Sequence, residues 1–415
     1  MKLAQDVHLH LIKTTKFKTN HITFRFSGEL NSKTLARRVL VAQMLATANN
    51  AYPTPQAFRE KLADLYGARF STQVSAKGRV HIVDIDISFV SDPFVPEGSS
   101  ILGEIVAFLR EALFNPLASV EHYQSKTFDL EKANLMRYLE ADKEDAFYYS
   151  HLELQKLFFK EEIMQYSKDA RADLVDAENS YTTYQEFQKM LKEDRIDIFV
   201  LGSFDDYHVL QLIEEFPLRD RQKELVFFYQ QNYSKVVQEK VEQRENQQSI
   251  LQLGYHLPIT YGDSNYYALL VFNGILGAFP HSKLFTEIRE KQGLAYNIGS
   301  HFDSFKGLLQ LYTGIDSKKR PQTFQLINKQ FNDLKLGRFS GHLLNQTKKM
   351  LINNIQLSED HPKSMIEHNY NCQFLKESCI DIEDWIDKVD KISKEDVVRV
   401  ANLIKLQSIY FLEGE

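Results

Sequence analysis

Leu284-Phe285-Thr286-Glu287-Ile288-Arg289-Glu290-Lys291-Gln292-Gly293-Leu294-Ala295-Tyr296 is the most informative run in this chain, a helix that breaks at a glycine and passes into a strand. Helical spacing runs over Ser282 to Lys291, and Gly293 can take the left-handed conformation that ends a helix and turns the backbone into a strand. That arrangement fixes Arg289 in the last helical turn and Tyr296 at the strand start, so both side chains can face one cleft. An arginine brings five fixed donors and a permanent charge suited to carbonyl or carboxylate oxygens. A tyrosine hydroxyl can donate to a developing oxyanion. Both residues also have a purely structural reading, because a cation near a helix C-terminus favours the helix dipole and a strand tyrosine is common packing.

Outward from this stretch, Leu294 to Phe302 and Leu308 to Ile315 read as a strand pair around Lys306-Gly307. Ser249 to His256 precedes them as a strand and Asn265 to Phe279 as a helix; helices fill Pro321 to Ile355, with a break near Gly337, and continue to Ile404 before a last strand, Ser408 to Leu412. The same rhythm runs through the first half. Val7 to Ile12 and His21 to Phe26 alternate as an opening strand pair, Ser32 can cap a helix to Ala48, and Thr54 with Pro55 starts a second helix that ends at Gly67. Arg69 to Ala76 and Arg79 to Val90 form a hairpin around Lys77-Gly78, helices occupy much of Ser99 to Phe159, and Ile196 to Phe204 closes the half as a buried strand. Gly67, Gly78 and Gly202 thus play the parts of Gly293, Gly307 and Gly414. A repeat of this size predicts duplicated domains: 1–216, a polar connector 217–248, and 249–415. The expected fold class is α+β, two similar sandwiches, each a mainly antiparallel sheet packed by helices on one face.

Composition agrees with two ordinary globular domains, since 43% of the 415 residues are hydrophobic and 26% charged. Fifty basic against 56 acidic side chains give a net charge of −6 with no basic block, so neither nucleic acid nor a membrane is an expected partner. The N-terminus lacks an apolar h-region and no apolar stretch is long enough to span a bilayer, which makes a cytoplasmic location the expectation. Cys372 and Cys379, seven apart in a stretch read as helix, would lie about 10 Å apart, beyond disulfide reach, and are expected as buried or idle thiols.

The run Arg289-Glu290-Lys291-Gln292-Gly293-Leu294-Ala295-Tyr296, with Gly274, Gly277 and Ser282-Lys283-Leu284 before it, resembles the C-terminal-half signature of the pitrilysin/insulinase family of zinc peptidases. The order and size of the halves are similar to the family's over nearly the whole chain. The resemblance implies that Arg289 and Tyr296 bind substrate. It also implies that the first half should carry H-x-x-E-H followed by Met-Leu, two histidines ligating zinc with a glutamate to activate water. With Met44-Leu45 as the register, Val39, Ala42 and Gln43 stand where that motif would be, and no other H-x-x-E-H or H-E-x-x-H exists in the chain. Valine and alanine offer no ligand or base, and a glutamine amide is a poor zinc ligand. No cofactor and no catalytic residue are therefore expected here. The resemblance implies a zinc-less subunit whose zinc-bearing paralogue, in a heterodimer, holds the metal and whose ligand is a peptide. The rival readings are a homodimeric, non-enzymatic peptide-binding or scaffold protein and an independent zinc peptidase with an unconventional site.

Other candidates are plainer. His8 and His10 share a strand face and could chelate a metal, but the sequence places no further ligand beside them. His256 and His281 flank the second half's first long helix, and Glu140, Asp142, Glu144 and Asp145 read as a solvated helix end. The 29 Phe and 20 Tyr supply core, with a share available to line a peptide chamber or a subunit interface.

Overall fold

Strand alternation and capping residues set the first unit. In a computed structural model, which describes residues 1–96, 100–375 and 379–414, the chain runs through β1 (Lys2–Ala4), β2 (Val7–Lys13), β3 (Thr19–Glu29), α1 (Ser32–Leu45), α2 (Pro55–Asp64), β4 (Arg69–Lys77) and β5 (Val80–Val90). α3 (Ile101–Phe114), the short pair β6 (Ala118–Ser119) and β7 (His122–Tyr123), and α4 (Ser125–Asp142) follow. The chain then makes α5 (Ala146–Phe158), which belongs to the second unit, and returns for α6 (Ala172–Asp176), α7 (Ser180–Glu193), β8 (Arg195–Gly202) and α8 (Asp206–Glu214). Thr54 caps α2 as its sequence implies, through its Oγ1 and the Ala57 N–H (3.1 Å), whereas the cap of α1 is Asn31 and not Ser32.

The six-stranded sheet has the order β1-β2-β8-β3-β5-β4. The expected opening pair of β2 with β3 does not form, because β8 lies between them, parallel to β2 and antiparallel to β3. β8 is buried along nearly its whole length, and a strand buried on both faces belongs in the middle of a sheet, which its sequence position did not reveal.

The second unit comprises Asp142–Tyr166 and Phe228–Glu415. Its elements are α5, β9 (Gln238–Arg244), β10 (Ser249–His256), α9 (Tyr266–Asn273), β11 (Ala295–Asp303), β12 (Leu308–Ile315), α10 (Arg320–Lys335), α11 (Gly341–Ser358), α12 (Pro362–Asn371), α13 (Ile382–Asp390), α14 (Lys394–Leu403) and β13 (Lys405–Gly414). The sheet order is β9-β13-β10-β12-β11, with β9 parallel to β13 and every other pairing antiparallel. Read alongside β2-β8-β3-β5-β4, this is the same topology, strand for strand and direction for direction, so the duplication is visible in the hydrogen bonding.

Three local expectations are corrected. The stretch 217–248 is not wholly a connector, since β9 forms within it; an edge strand exposed on both faces has no apolar alternation to betray it. One face of the second sheet carries the main core, with Leu251, Leu253, Phe272 and Phe411, but the other is covered as well, by α5, through Leu154 against Ile250, Tyr410 and Leu412. Finally, Cys372 and Cys379 form a disulfide, with Cα atoms 4.7 Å apart. α12 ends at Asn371 in a short 3₁₀ turn, so the helical rise that would have separated the two residues does not continue.

Candidate functional site

The two positions singled out as a substrate pair meet at the end of a widened helix. Phe285–Glu290 is a π-helical turn, with the Lys291 N–H bonded to the Thr286 carbonyl (3.1 Å). Such turns occur mostly singly and frequently at functional sites. Gly293 then takes φ +58°, its N–H donates to the Arg289 carbonyl (3.0 Å), and the Leu294 N–H reaches back to Ile288 (3.1 Å). Gly67 in the first unit ends α2 in the same way, with Gly67 N–H to Ala63 (3.1 Å) and Ala68 N–H to Leu62 (3.0 Å). The glycines read as punctuation therefore terminate equivalent helices by equivalent bonds.

Downstream of Gly293 the register of β11 against β12 slips between Ala295 and Asn297, which makes Tyr296 the residue at the irregularity. Bulges re-aim side chains and are common beside active sites. Here Ala295 and Ile298 are buried while Tyr296, 80% exposed, points into solvent. The guanidinium carbon of Arg289 lies 5.5 Å from the Tyr296 ring centroid and 4.5 Å from that of Phe285. Arg289 is about a third exposed and has one ionic neighbour among the described residues, Glu290 at 3.6 Å. Arg289 and Tyr296 are thus together, held at their backbones by a π turn and a left-handed glycine. The arginine thus lies within cation–π reach of two aromatic rings, with Glu290 as its ionic neighbour among the described residues. The π turn and the bulge were not legible in the sequence; the glycine and the two residues themselves were.

The helix that leads to this turn is packed too closely for side chains at its glycines. A Cβ on Gly277 would stand 2.6 Å from Ser300 Oγ and 2.9 Å from Ser300 N, and one on Gly274 would stand 2.5 Å from Thr347 Cγ2. Ser300 Oγ donates to Asn273 Oδ1 (2.8 Å), tying β11 to the end of α9.

In the first unit, Val39, Ala42 and Gln43 lie on α1, in its last two turns. Val39 and Ala42 are both 4% exposed and pack in the core. Gln43 presents a neutral amide whose buried Oε1 has no hydrogen-bond partner among the described residues. A zinc ion does not fit this set, which supplies no anionic or imidazole donor and no general base.

His8 and His10 do share a face of β2, beside Asp197 on β8. His10 Nε2 lies 2.9 Å and His8 Nδ1 3.7 Å from its carboxylate, but Arg195 Nε occupies the other oxygen at 2.9 Å. Burial pushes the Asp197 carboxyl up, yet the bonds to His10 and Arg195 outweigh it and hold it below the usual range. A carboxylate so paired is an ion-pair centre and not a metal site. His256 Nε2 is bonded to the Gln231 carbonyl (2.8 Å) and His281 Nε2 to Thr347 Oγ1 (3.0 Å), both structural contacts. The acidic run ends α4, and Asp145 caps α5 by accepting from the Phe147 and Tyr148 N–H groups. A feature that sequence reading missed is a cavity of about 530 Å³ in the second unit, where His151 of α5 and His301 of β11 come within 6.2 Å. Burial pushes His151 down to about 4, which keeps it neutral. Residues so far apart in sequence carry no joint signal.

The comparison with known families matches residues 184–351 to the Peptidase M16 inactive domain. A Bacillus subtilis (strain 168) protein, "Probable inactive metalloprotease YmfF", is 30% identical over 407 residues, 98% of this chain and 95% of that one. The crystal structure of a conserved protein from Enterococcus faecalis V583 superposes with a TM-score of 0.96 at 37% identity, over 100% of this chain and 98% of that one. The peptidase M16 inactive domain from Pseudomonas fluorescens shares the fold, with a TM-score of 0.79 at 15% identity over 99% and 97% of the two chains. Among the described residues no helix is long and apolar enough to cross a membrane.

Proposed function

This chain belongs to the M16 peptidase family and carries its inactive domain, and we propose that it serves as the zinc-less, substrate-binding subunit of a two-chain metalloendopeptidase. The reading rests on one contrast. The second unit presents Arg289, part-exposed, and Tyr296, exposed, as a braced donor pair, while the first unit has filled the zinc-motif positions with the buried side chains Val39 and Ala42. Solvent-facing donors on a fixed turn suit a ligand rich in carbonyl and carboxylate oxygens, and an extended peptide is such a ligand. An apolar helix face suits packing and no chemistry. The zinc, its ligands and the general base would come from a paralogous partner of similar size. This chain would contribute Arg289 and Tyr296 to hold the peptide, with Arg289 pairing to substrate carbonyl or carboxylate oxygens and the Tyr296 hydroxyl donating to the oxygen on which charge develops.

The test mixes the purified chain with an M16 paralogue from the same cell that has an intact H-x-x-E-H and follows cleavage of a quenched fluorescent peptide library. Peptide cleavage that needs both chains and is abolished by chelator is expected. Arg289→Ala should lower kcat/KM by roughly tenfold to a hundredfold, the loss of about 1.5–3 kcal/mol attached to a hydrogen bond from a charged donor. Equal activity of the mutant pair would remove Arg289 from substrate binding. Native purification as a self-pair that binds peptides without any zinc chain would instead make the protein a homodimeric scaffold.

A further inference from the structure

The segment after α12 assembles a set of soft ligands outside the positions where the family's zinc motif was lost. His368 lies in the last turn of α12, Cys372 follows it in the 3₁₀ turn, and the disulfide holds Cys379 alongside. One nitrogen of His368 and the two sulfurs all lie within 4.8 Å of one another. This is the only group of three or more potential metal-ligating side chains among the described residues. The imidazole is also oriented. His368 Nε2 is 2.9 Å from the Ile380 carbonyl, so Nε2 carries the proton and donates, leaving the Nδ1 lone pair for a cation. A histidine whose second nitrogen donates to a backbone carbonyl is the usual outer-shell arrangement of a metal ligand. Cys372 Sγ lies 3.3 Å from the His368 carbonyl oxygen, a contact that only the reduced thiol can turn into a hydrogen bond.

With the bridge closed, the sulfurs are bonded to each other and neither is a thiolate. A dithiol reductant opens it by exchange: the bridge gains two electrons and two protons, becoming two thiols, while the reductant closes its own disulfide. Cation binding then displaces the two thiol protons to solvent. Two thiolates and one imidazole select a borderline-soft, tetrahedral ion over magnesium or calcium. Cys379 is exposed, which gives the ion an entry path and leaves the fourth position to water.

We propose that His368, Cys372 and Cys379, once the Cys372–Cys379 bridge is reduced, bind one zinc ion, so that this chain carries a redox-gated metal site in its second unit. The inference is independent of the subunit role proposed above and needs no peptidase activity to test. The full-length chain, reduced with a phosphine and stripped of metal, is titrated with zinc against a chromophoric competitor and, in parallel, with cobalt(II). One equivalent of zinc is expected to bind the reduced chain and none the oxidised chain, with a thiolate-to-cobalt charge-transfer band in the cobalt form. Cys372→Ser and His368→Ala should each weaken binding by about tenfold or more, as loss of one of three ligands requires. The proposal is overturned if the reduced chain takes up no zinc, if uptake is unchanged in Cys372→Ser or His368→Ala, or if the cobalt form lacks the thiolate band. The cobalt spectrum of the unmutated chain keeps the test decisive even if a variant fails to fold.

Discussion

Arg38, next to Val39 and one helical turn before Ala42, shows what α1 does with its buried face. Its side chain is 2% exposed and donates from Nη1 to Asp194 (2.7 Å), from Nε to His81 Nδ1 (3.1 Å) and from Nη2 to the His81 carbonyl (3.2 Å). A guanidinium is always a donor, so His81 Nδ1 must accept and its Nε2–H donates to the Lys168 carbonyl (3.0 Å). Burial, and after it the Arg38 charge, pushes His81 down to about 3, and the folded protein holds it neutral. The unfolded chain has an ordinary imidazole, which takes up its proton below about 6.5. Between those values only the unfolded state binds the proton, so stability must fall with pH, by up to about 1.4 kcal/mol per unit. Urea denaturation at pH 7 and pH 5 should therefore show His81→Gln losing about 2 kcal/mol less than the unmutated chain over that interval. Equal losses in the two proteins would mean that His81 titrates normally and that the Arg38 contact does not form.

At the scale of elements, the path from α9 to β11 is governed by where backbones must approach. Gly277 sits in the π-helical segment Gly274–Ala278 against Ser300 of β11, and the missing side chain is what lets helix and strand meet. Gly293 differs, because nothing lies within 4 Å of its would-be Cβ and only its φ of +58° demands glycine. Gly293→Ala should thus cost about 1 kcal/mol from backbone strain alone. Gly277→Ala should cost more, about 1–3 kcal/mol, because β11 has to move. Chemical denaturation of the two variants reads the difference, and a Gly277→Ala protein as stable as the unmutated one would contradict the close approach. These glycines also mark how far the sequence was legible. Turn glycines, Thr54 with Pro55, and strand alternation exposed the helix–strand rhythm of both units, and the run from Arg289 to Tyr296 pointed to the candidate site. The π turn was not legible, because a short run of i→i+5 bonds leaves the apolar spacing of a helix almost unchanged. Nor was β9, whose residues are polar on both faces, nor the bridge between Cys372 and Cys379, which depends on where α12 stops.

For the molecule as a whole, the duplicated sheet was foreseeable from periodicity, but the ownership of α5 was not. Periodicity says that a helix has an apolar face and is silent on which sheet covers it. α5 lies in the first half of the chain, yet it is part of the second unit and closes the second face of that unit's sheet. Leu154, Ile250, Tyr410 and Leu412 are each no more than 1% exposed at this contact. Around them Ser150 Oγ accepts from Gln252 Nε2 (2.9 Å), Tyr149 donates to Glu242 (2.6 Å), and Lys240 donates to Glu153 (2.7 Å). Full burial of a large apolar side chain contributes about 1.5–3 kcal/mol, so removing α5 forfeits an amount comparable with the roughly 5–15 kcal/mol by which a domain is stable at all. A fragment of residues 228–415, the second unit without α5, should therefore bind a hydrophobic dye and melt without a cooperative transition. Adding a peptide of residues 142–166 should restore near-ultraviolet circular dichroism and a cooperative melt, with a midpoint that rises with peptide concentration because binding to the folded state is linked to folding. Leu154→Asp in that peptide should abolish the rescue, since a carboxylate placed in this apolar contact has no partner to offset its desolvation. Cooperative unfolding of 228–415 by itself would show that the second sheet does not need α5.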